Sequence, residues 1–185
     1  MDIGLHFAAT PASLVAYCDS DFAEDSNTRL SVSGYVFQAG TNMISWKSGQ
    51  QKTVATSTCE AEYMALFHAS QEALFLGPFV AELLGTSPSP VTIYVDNNGA
   101  IALAKNPVWH KRCKHIDIKY HSVREQVRSK TIIVERIDSA DNLADVFTKS
   151  VTRSVMNTLK PWIISDLSKF SCCQPRNIPE IKGEC

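Results

Sequence analysis

The chain has 185 residues, 44% of them hydrophobic and 20% charged, with 18 basic against 19 acidic residues and a formal net charge of −1. That length suits one domain with a short appendage and allows a core of useful size. No apolar run approaches membrane-spanning length, and Met1-Asp2-Ile3-Gly4 lacks the basic opening and apolar stretch of a signal peptide, so an intracellular protein with no membrane partner is expected.

Leu14-Val15-Ala16-Tyr17-Cys18 has strand character and ends in Asp19-Ser20-Asp21. Glu24 to Arg29 reads as a loop. Strands are predicted over Ser33 to Gln38 and Met43 to Lys47, joined at Ala39-Gly40-Thr41-Asn42, so the start of the chain is a three-stranded antiparallel meander. A long helix follows. Ser57-Thr58-Cys59-Glu60 fits a capping box, Gly77-Pro78 is expected to break or kink the helix after Leu76, and Gly85 is expected to end it.

Val91 to Val95 is the next strand, closing on Asp96, and Asn97-Asn98-Gly99 turns into a short helix from Ala100 to Lys105. Ile116, Tyr120, Val123 and Val127 recur at helical spacing, which predicts an amphipathic helix over His115 to Arg128. A strand from Thr131 to Ile137 and a helix from Asn142 to Lys149 complete the regular part. A further helix from Thr152 to about Lys169, interrupted at Pro161, and a disordered tail from Ser171 are expected. This order, with no internal repeat, predicts an α/β fold: a mixed five-stranded sheet of three antiparallel strands with parallel additions, flanked by helices. Residues 1–13 read as a linker, 14–150 as the domain, 151–170 as a helical extension and 171–185 as the tail.

Charge is unevenly spread. Residues 1–104 hold 3 basic and 10 acidic residues, whereas 105–130 hold 8 basic and 2 acidic. An acidic body beside a basic stretch suits a metal-assisted site next to a polyanion-binding surface; a solvated, charge-rich helix is the plainer reading of the same stretch. The six cysteines show no CxxC pair or zinc-type spacing and are expected to be reduced thiols. His110, His115 and His121 are read as structural or phosphate-contacting, since histidine suits zinc better than Mg²⁺.

Asp19, Glu62, Asp96 and Asp145 fall where regular segments begin or end, so they can converge. Carboxylates gathered at one point need a cation, and hard oxygen ligands favour Mg²⁺ or Mn²⁺ and phosphate chemistry. Glu62 shares a helix face with Leu66, Ala69, Ala73 and Leu76, so it heads the stripe that packs on the sheet, whereas Glu60 lies about 200° around and caps the helix. Asp19 directly follows an apolar run, nearer the core than Asp21. Asp96 and Asp145 each have a plainer reading, as a helix-capping turn and as a solvated helix residue.

Several stretches resemble one family. Tyr17-Cys18-Asp19-Ser20-Asp21-Phe22-Ala23, Ser33-Gly34-Tyr35, Ile44-Ser45-Trp46-Lys47-Ser48 and Ser57 to Ala65 are similar to the ribonuclease H domain of copia-type LTR retrotransposons. So are Tyr94-Val95-Asp96-Asn97-Asn98-Gly99-Ala100-Ile101, Lys114 to His121, and Leu143-Ala144-Asp145-Val146-Phe147-Thr148-Lys149, all in family order.

The resemblance implies a ribonuclease H-like fold with Asp19, Glu62, Asp96 and Asp145 as catalytic and metal-binding residues. It also implies two Mg²⁺ ions, or Mn²⁺ in their place, and cleavage of the RNA strand of an RNA–DNA hybrid. The parent would be a Pol polyprotein carrying a reverse transcriptase domain, and this chain a fragment of it. Lys111, Arg112, Lys114, Lys119, Arg124 and Arg128 are candidates for contacts to the nucleic-acid backbone. The histidine that many ribonucleases H carry in the loop before the last acid is missing from Ile137-Asp138-Ser139-Ala140-Asp141. The rival expectation is a catalytically inactive or domesticated nucleic-acid-binding remnant.

Overall fold

Alternating burial along β2 (Leu14–Ser20) and β5 (Val91–Val95) shows how the chain divides its strands between two faces. The computed structural model of the protein describes residues 3–4, 13–23, 27–106, 117–154, 156–157 and 165–166, with backbone alone at 3–4, 117–120 and 165–166. Leu14, Ala16 and Cys18 share one face with Val91, Ile93 and Val95. They are joined by Tyr35 and Phe37 of β3 (Val32–Ala39) and by Ile132 and Val134 of β6 (Ile132–Arg136). Three helices, α1 (Thr58–Leu84), α2 (Asn98–Lys105) and α3 (Asp117–Arg128), contribute Leu66, Ala69, Ala73, Leu103 and Val123 to the same core.

With β4 (Asn42–Gln50) the sheet runs β4-β3-β2-β5-β6. β2, β3 and β4 are antiparallel neighbours, while β5 and β6 add in parallel beyond β2. This is the mixed, helix-flanked α/β sheet predicted from the sequence, with β2 carried two residues further than the apolar run and taking in Asp19 and Ser20.

Helix α1 begins as predicted and continues where a break was expected. Ser57 Oγ accepts from the Glu60 amide, and the Glu60 carboxylate turns back to the Thr56 amide and hydroxyl instead of the Ser57 amide. The helix runs unbroken through Gly77 and Pro78 to Gly85, which ends it in the left-handed conformation. Pro78 is exposed and removes the amide that would bond the Leu74 carbonyl, while the apolar stripe packed on the sheet holds the helix on both sides of it.

Two expectations near the end of the chain are corrected. The helix expected over Asn142 to Lys149 is two 3₁₀ turns, Ser139–Asp141 and Leu143–Phe147. The buried Asn142 sets this: its amide group donates to the Cys18 carbonyl while its oxygen accepts from the Ala144 amide. The helix expected to reach Lys169 contains instead a short strand, β7 (Ser165–Asp166), paired antiparallel with β1 (Ile3–Gly4). Two residues of the expected linker are thus held in a strand pair. The tail expected from Ser171 lies outside the described residues.

The second 3₁₀ turn packs on the sheet face opposite the helices, where Val36, Met43 and Leu143 gather with Tyr17, Val146 and Phe147. Gly34 permits this close approach. It pairs with Asp19 across the β2–β3 ladder, and a methyl group on it would lie 2.7 Å from Thr148 Cγ2 and 2.9 Å from Phe147 Cβ. Gly34→Ala should therefore destabilise the fold by about 1–3 kcal/mol by overpacking, measured by urea unfolding. Unchanged stability would show that the turn does not press on β3.

Candidate active site

Asp19 and Asp96 meet because their strands are parallel neighbours. The β2–β5 ladder pairs Val15 with Thr92 and Tyr17 with Tyr94, and the same register carried on two residues sets Asp19 beside Asp96. Side chains two apart share a face, so the stacked Tyr17 and Tyr94 rings, 5.2 Å between centroids, lie directly below the two acids. The second 3₁₀ turn brings Asp145 in from the same side. Carboxylate oxygens of Asp19, Asp96 and Asp145 all lie within 4.8 Å of one another.

Glu62 comes from the helix side of the sheet, in the second turn of α1, and stands outside that group of three. It is 7% exposed, and its Oε2 is buried without a hydrogen-bond partner. Burial, with the charges of Asp19 and Asp96 behind it, pushes its carboxyl up to about 9, against a backbone hydrogen bond from Ser20 and the charge of Lys149. Gly99, at the start of α2, lets the two helix ends approach, since a methyl group there would lie 2.9 Å from Cys59 Sγ of α1.

Asp19 is fully buried. Burial raises its carboxyl to about 6 and Asp145 adds to the rise, while the Thr148 hydroxyl, donating to Asp19 Oδ2, and Lys149 oppose it. Lys149 Nζ sits 3.2 Å from Asp19 Oδ2 and 3.1 Å from Asp145 Oδ1. Ser139 Oγ donates to Asp96 Oδ2 at 2.6 Å. The same crowd of acids reaches the other side of β2, where burial and then Glu62, Asp19 and Asp96 hold the Cys18 thiol well above its ordinary range.

The structure separates residues that the sequence left as neighbours. Asp21 Oδ1 accepts from the Val32 amide and is spent on closing the β2–β3 ladder. Glu60 is spent on the Thr56 amide and hydroxyl. Among the described residues the acidic cluster includes no histidine.

Of the expected nucleic-acid contacts, Lys111, Arg112 and Lys114 lie outside the described residues, as do His110 and His115, and Lys119 is placed only by its backbone in α3. Arg128 is exposed at the end of α3. Arg124 is turned inward: it is 9% exposed and its Nε donates to the Leu103 carbonyl at 2.9 Å, so it ties α3 to α2 instead of facing a ligand. Gly34, Ser139, Asn142, Thr148 and Lys149 were not singled out from sequence as site residues. Gly34, Thr148 and Lys149 stood inside the motifs, but nothing local marks a glycine or a hydroxyl as a support for an acid.

The donor set fits a hard divalent cation. It is all oxygen, crowded and partly orphaned, and a cation would offset both the burial and the like charges that raise Asp19 and Glu62.

No protein-family model matches the sequence. The chain is 40% identical over 156 residues, 84% of its length, to the retrovirus-related Pol polyprotein from transposon TNT 1-94 of Nicotiana tabacum, covering 12% of that protein. It is 42% identical over 142 residues, 77% of its length, to the Pol polyprotein from transposon RE1 of Arabidopsis thaliana, covering 10% of it. It thus spans about a tenth of these relatives. Among solved structures, LC11-RNase H1 in complex with an RNA/DNA hybrid superposes with a TM-score of 0.55 at 16% identity, covering 74% of this chain and 94% of that one. The N-terminal RNase H domain of rv2228c from Mycobacterium tuberculosis superposes with a TM-score of 0.53 at 14% identity, covering 80% and 98%.

A pH signature follows from the raised carboxyls. Both groups hold protons more tightly folded than unfolded, so their contribution to stability is complete below about pH 4 and is lost as pH rises through about 6 for Asp19 and about 9 for Glu62. With chelator present, the melting temperature should fall between about pH 5 and pH 9, and Glu62→Gln should remove most of the fall above about pH 6. Parallel losses in both proteins would assign the effect to other groups.

Proposed function

The chain is a ribonuclease H-fold homologue of one segment of the retrovirus-related Pol polyproteins of copia-like transposons, and we propose that it is a metal-dependent endonuclease cutting the RNA strand of RNA–DNA hybrids. The observation that carries this reading is the cluster of Asp19, Asp96 and Asp145, with the buried Glu62, whose Oε2 has no hydrogen-bond partner, beside it at the end of β2. These four acids would hold Mg²⁺, or Mn²⁺ in its place. When bound, two such ions would make a water easier to deprotonate into the nucleophile for the scissile phosphate and would stabilise the charge on the departing 3′ oxygen.

The chain's own residues do the positioning. Strand register fixes Asp19 against Asp96, the 3₁₀ turn fixes Asp145, and α1 delivers Glu62 from beneath. Ser139 restrains one oxygen of Asp96, and Thr148 one of Asp19. A hybrid lying across this end of the sheet would present its phosphates to the acids and its 2′-hydroxyls to the flanking surface, which is how RNA is told from DNA. The Pol homologues support a reverse transcriptase domain as the neighbour in a parent polyprotein, and the exposed Arg128, with Lys119 on the same helix, supports backbone contacts from α3.

The decisive measurement is hydrolysis of a labelled RNA–DNA hybrid with Mg²⁺ or Mn²⁺. Wild type should release products with 5′-phosphate and 3′-hydroxyl ends, and Glu62→Gln or Asp96→Asn should slow this by about a hundredfold or more. Wild type that binds hybrid yet cuts no faster than the two variants would establish the non-catalytic remnant instead.

The basic helix makes a separate prediction. Lys119→Glu with Arg128→Glu should weaken hybrid binding and lower the slope of log affinity against log salt by about 2, whereas Arg124→Met should leave that slope alone. A slope unmoved by the double variant would mark α3 as a solvated helix.

A further inference from the structure

Lys149 stands on the same oxygens that a metal ion would need. Its Nζ lies 3.3 Å from Asp19 Oδ1, 3.2 Å from Asp19 Oδ2 and 3.1 Å from Asp145 Oδ1, bridging β2 to the 3₁₀ turn. A divalent ion bound at ~2.1 Å from a carboxylate oxygen takes the lone pairs that now accept from the ammonium, and places a second positive charge within a few ångströms of the first. The two cations would compete for the same oxygens of Asp19 and Asp145 and repel one another across them. We propose that Lys149 is a resident counter-ion of the acidic cluster: divalent metal binds by displacing its ammonium, which then becomes available to pair with a nucleic-acid phosphate.

The surroundings suit an exchange. The Lys149 side chain is 39% exposed, so it can swing to solvent without disturbing the core. Its backbone is held independently of its side chain, through the Lys149 amide to the Asp145 carbonyl at 3.0 Å and through Thr148 on Asp19. The acids that lose the ammonium would therefore keep their positions. The pairing joins residues 130 positions apart in the chain, which makes Lys149 a clasp on two of the three crowded carboxylates.

This exchange rests on the metal-binding part of the function proposed above, and its test separates the two. Mn²⁺ is titrated into the full chain, wild type, Lys149→Met and Lys149→Arg, and free Mn²⁺ is read by electron paramagnetic resonance. Lys149→Met should bind about tenfold more tightly than wild type, since the competing charge is gone, and Lys149→Arg should stay near wild type. In the wild type itself, acetylation at Lys149, followed by mass spectrometry, should run several-fold faster with Mn²⁺ than with chelator. Unchanged or weaker Mn²⁺ binding by Lys149→Met, or an acetylation rate that Mn²⁺ does not alter, overturns the exchange while leaving the metal reading intact. No Mn²⁺ binding by any of the three overturns both.

Discussion

Mutual repulsion among carboxylates at the end of β2 is the constraint around which the rest of the structure is arranged. Asp19, Asp96 and Asp145 lie within 4.8 Å of one another and Glu62 is buried beside them. Such a group would scatter if its members were free to move. Each is therefore held by a different rigid element: a central strand, the end of its parallel neighbour, a long helix packed beneath, and a short 3₁₀ turn above. Burial, with the neighbouring carboxylates adding to it, raises the affinity of Asp19 and Glu62 for protons.

The supports are small polar groups and missing side chains. Asn142 anchors the last turn to the Cys18 carbonyl, one residue from Asp19, and Gly34 leaves the space into which that turn fits. Thr148 and Ser139 restrain carboxylate oxygens that would otherwise swing. Ser139 occupies the loop in which many ribonucleases H carry a histidine, and its hydroxyl is aimed at Asp96. The fold is shared with structural neighbours that have little sequence in common with this chain.

Lys149 changes how the site is to be understood. An ammonium already bridging Asp19 and Asp145 makes the cluster a place where cations exchange, so part of its negative charge is offset before an ion binds. The last acid and the counter-ion come from one short motif, Asp145 to Lys149, closed against the strand that carries Asp19.

Periodicity and punctuation in the chain were enough for the five strands and three helices of the domain, because each buries a face whose spacing is written locally. They also separated Glu62 from Glu60, since helix geometry alone decides which residue heads the buried stripe. The unbroken course of α1 through Pro78 was not legible, because packing on the sheet outweighs one lost hydrogen bond. Nor was the 3₁₀ form of residues 143–147, which depends on Asn142 meeting a carbonyl 124 positions away. Arg124 looked like its basic neighbours in sequence and turned inward, because only the seating of α3 on α2 decides which cations of a charged helix are covered. Residue types and their order determined which acids could meet; the parallel register of β2 and β5 and the missing side chain of Gly34 decided that they do, because distance between residues far apart in the chain is a property of the packed sheet.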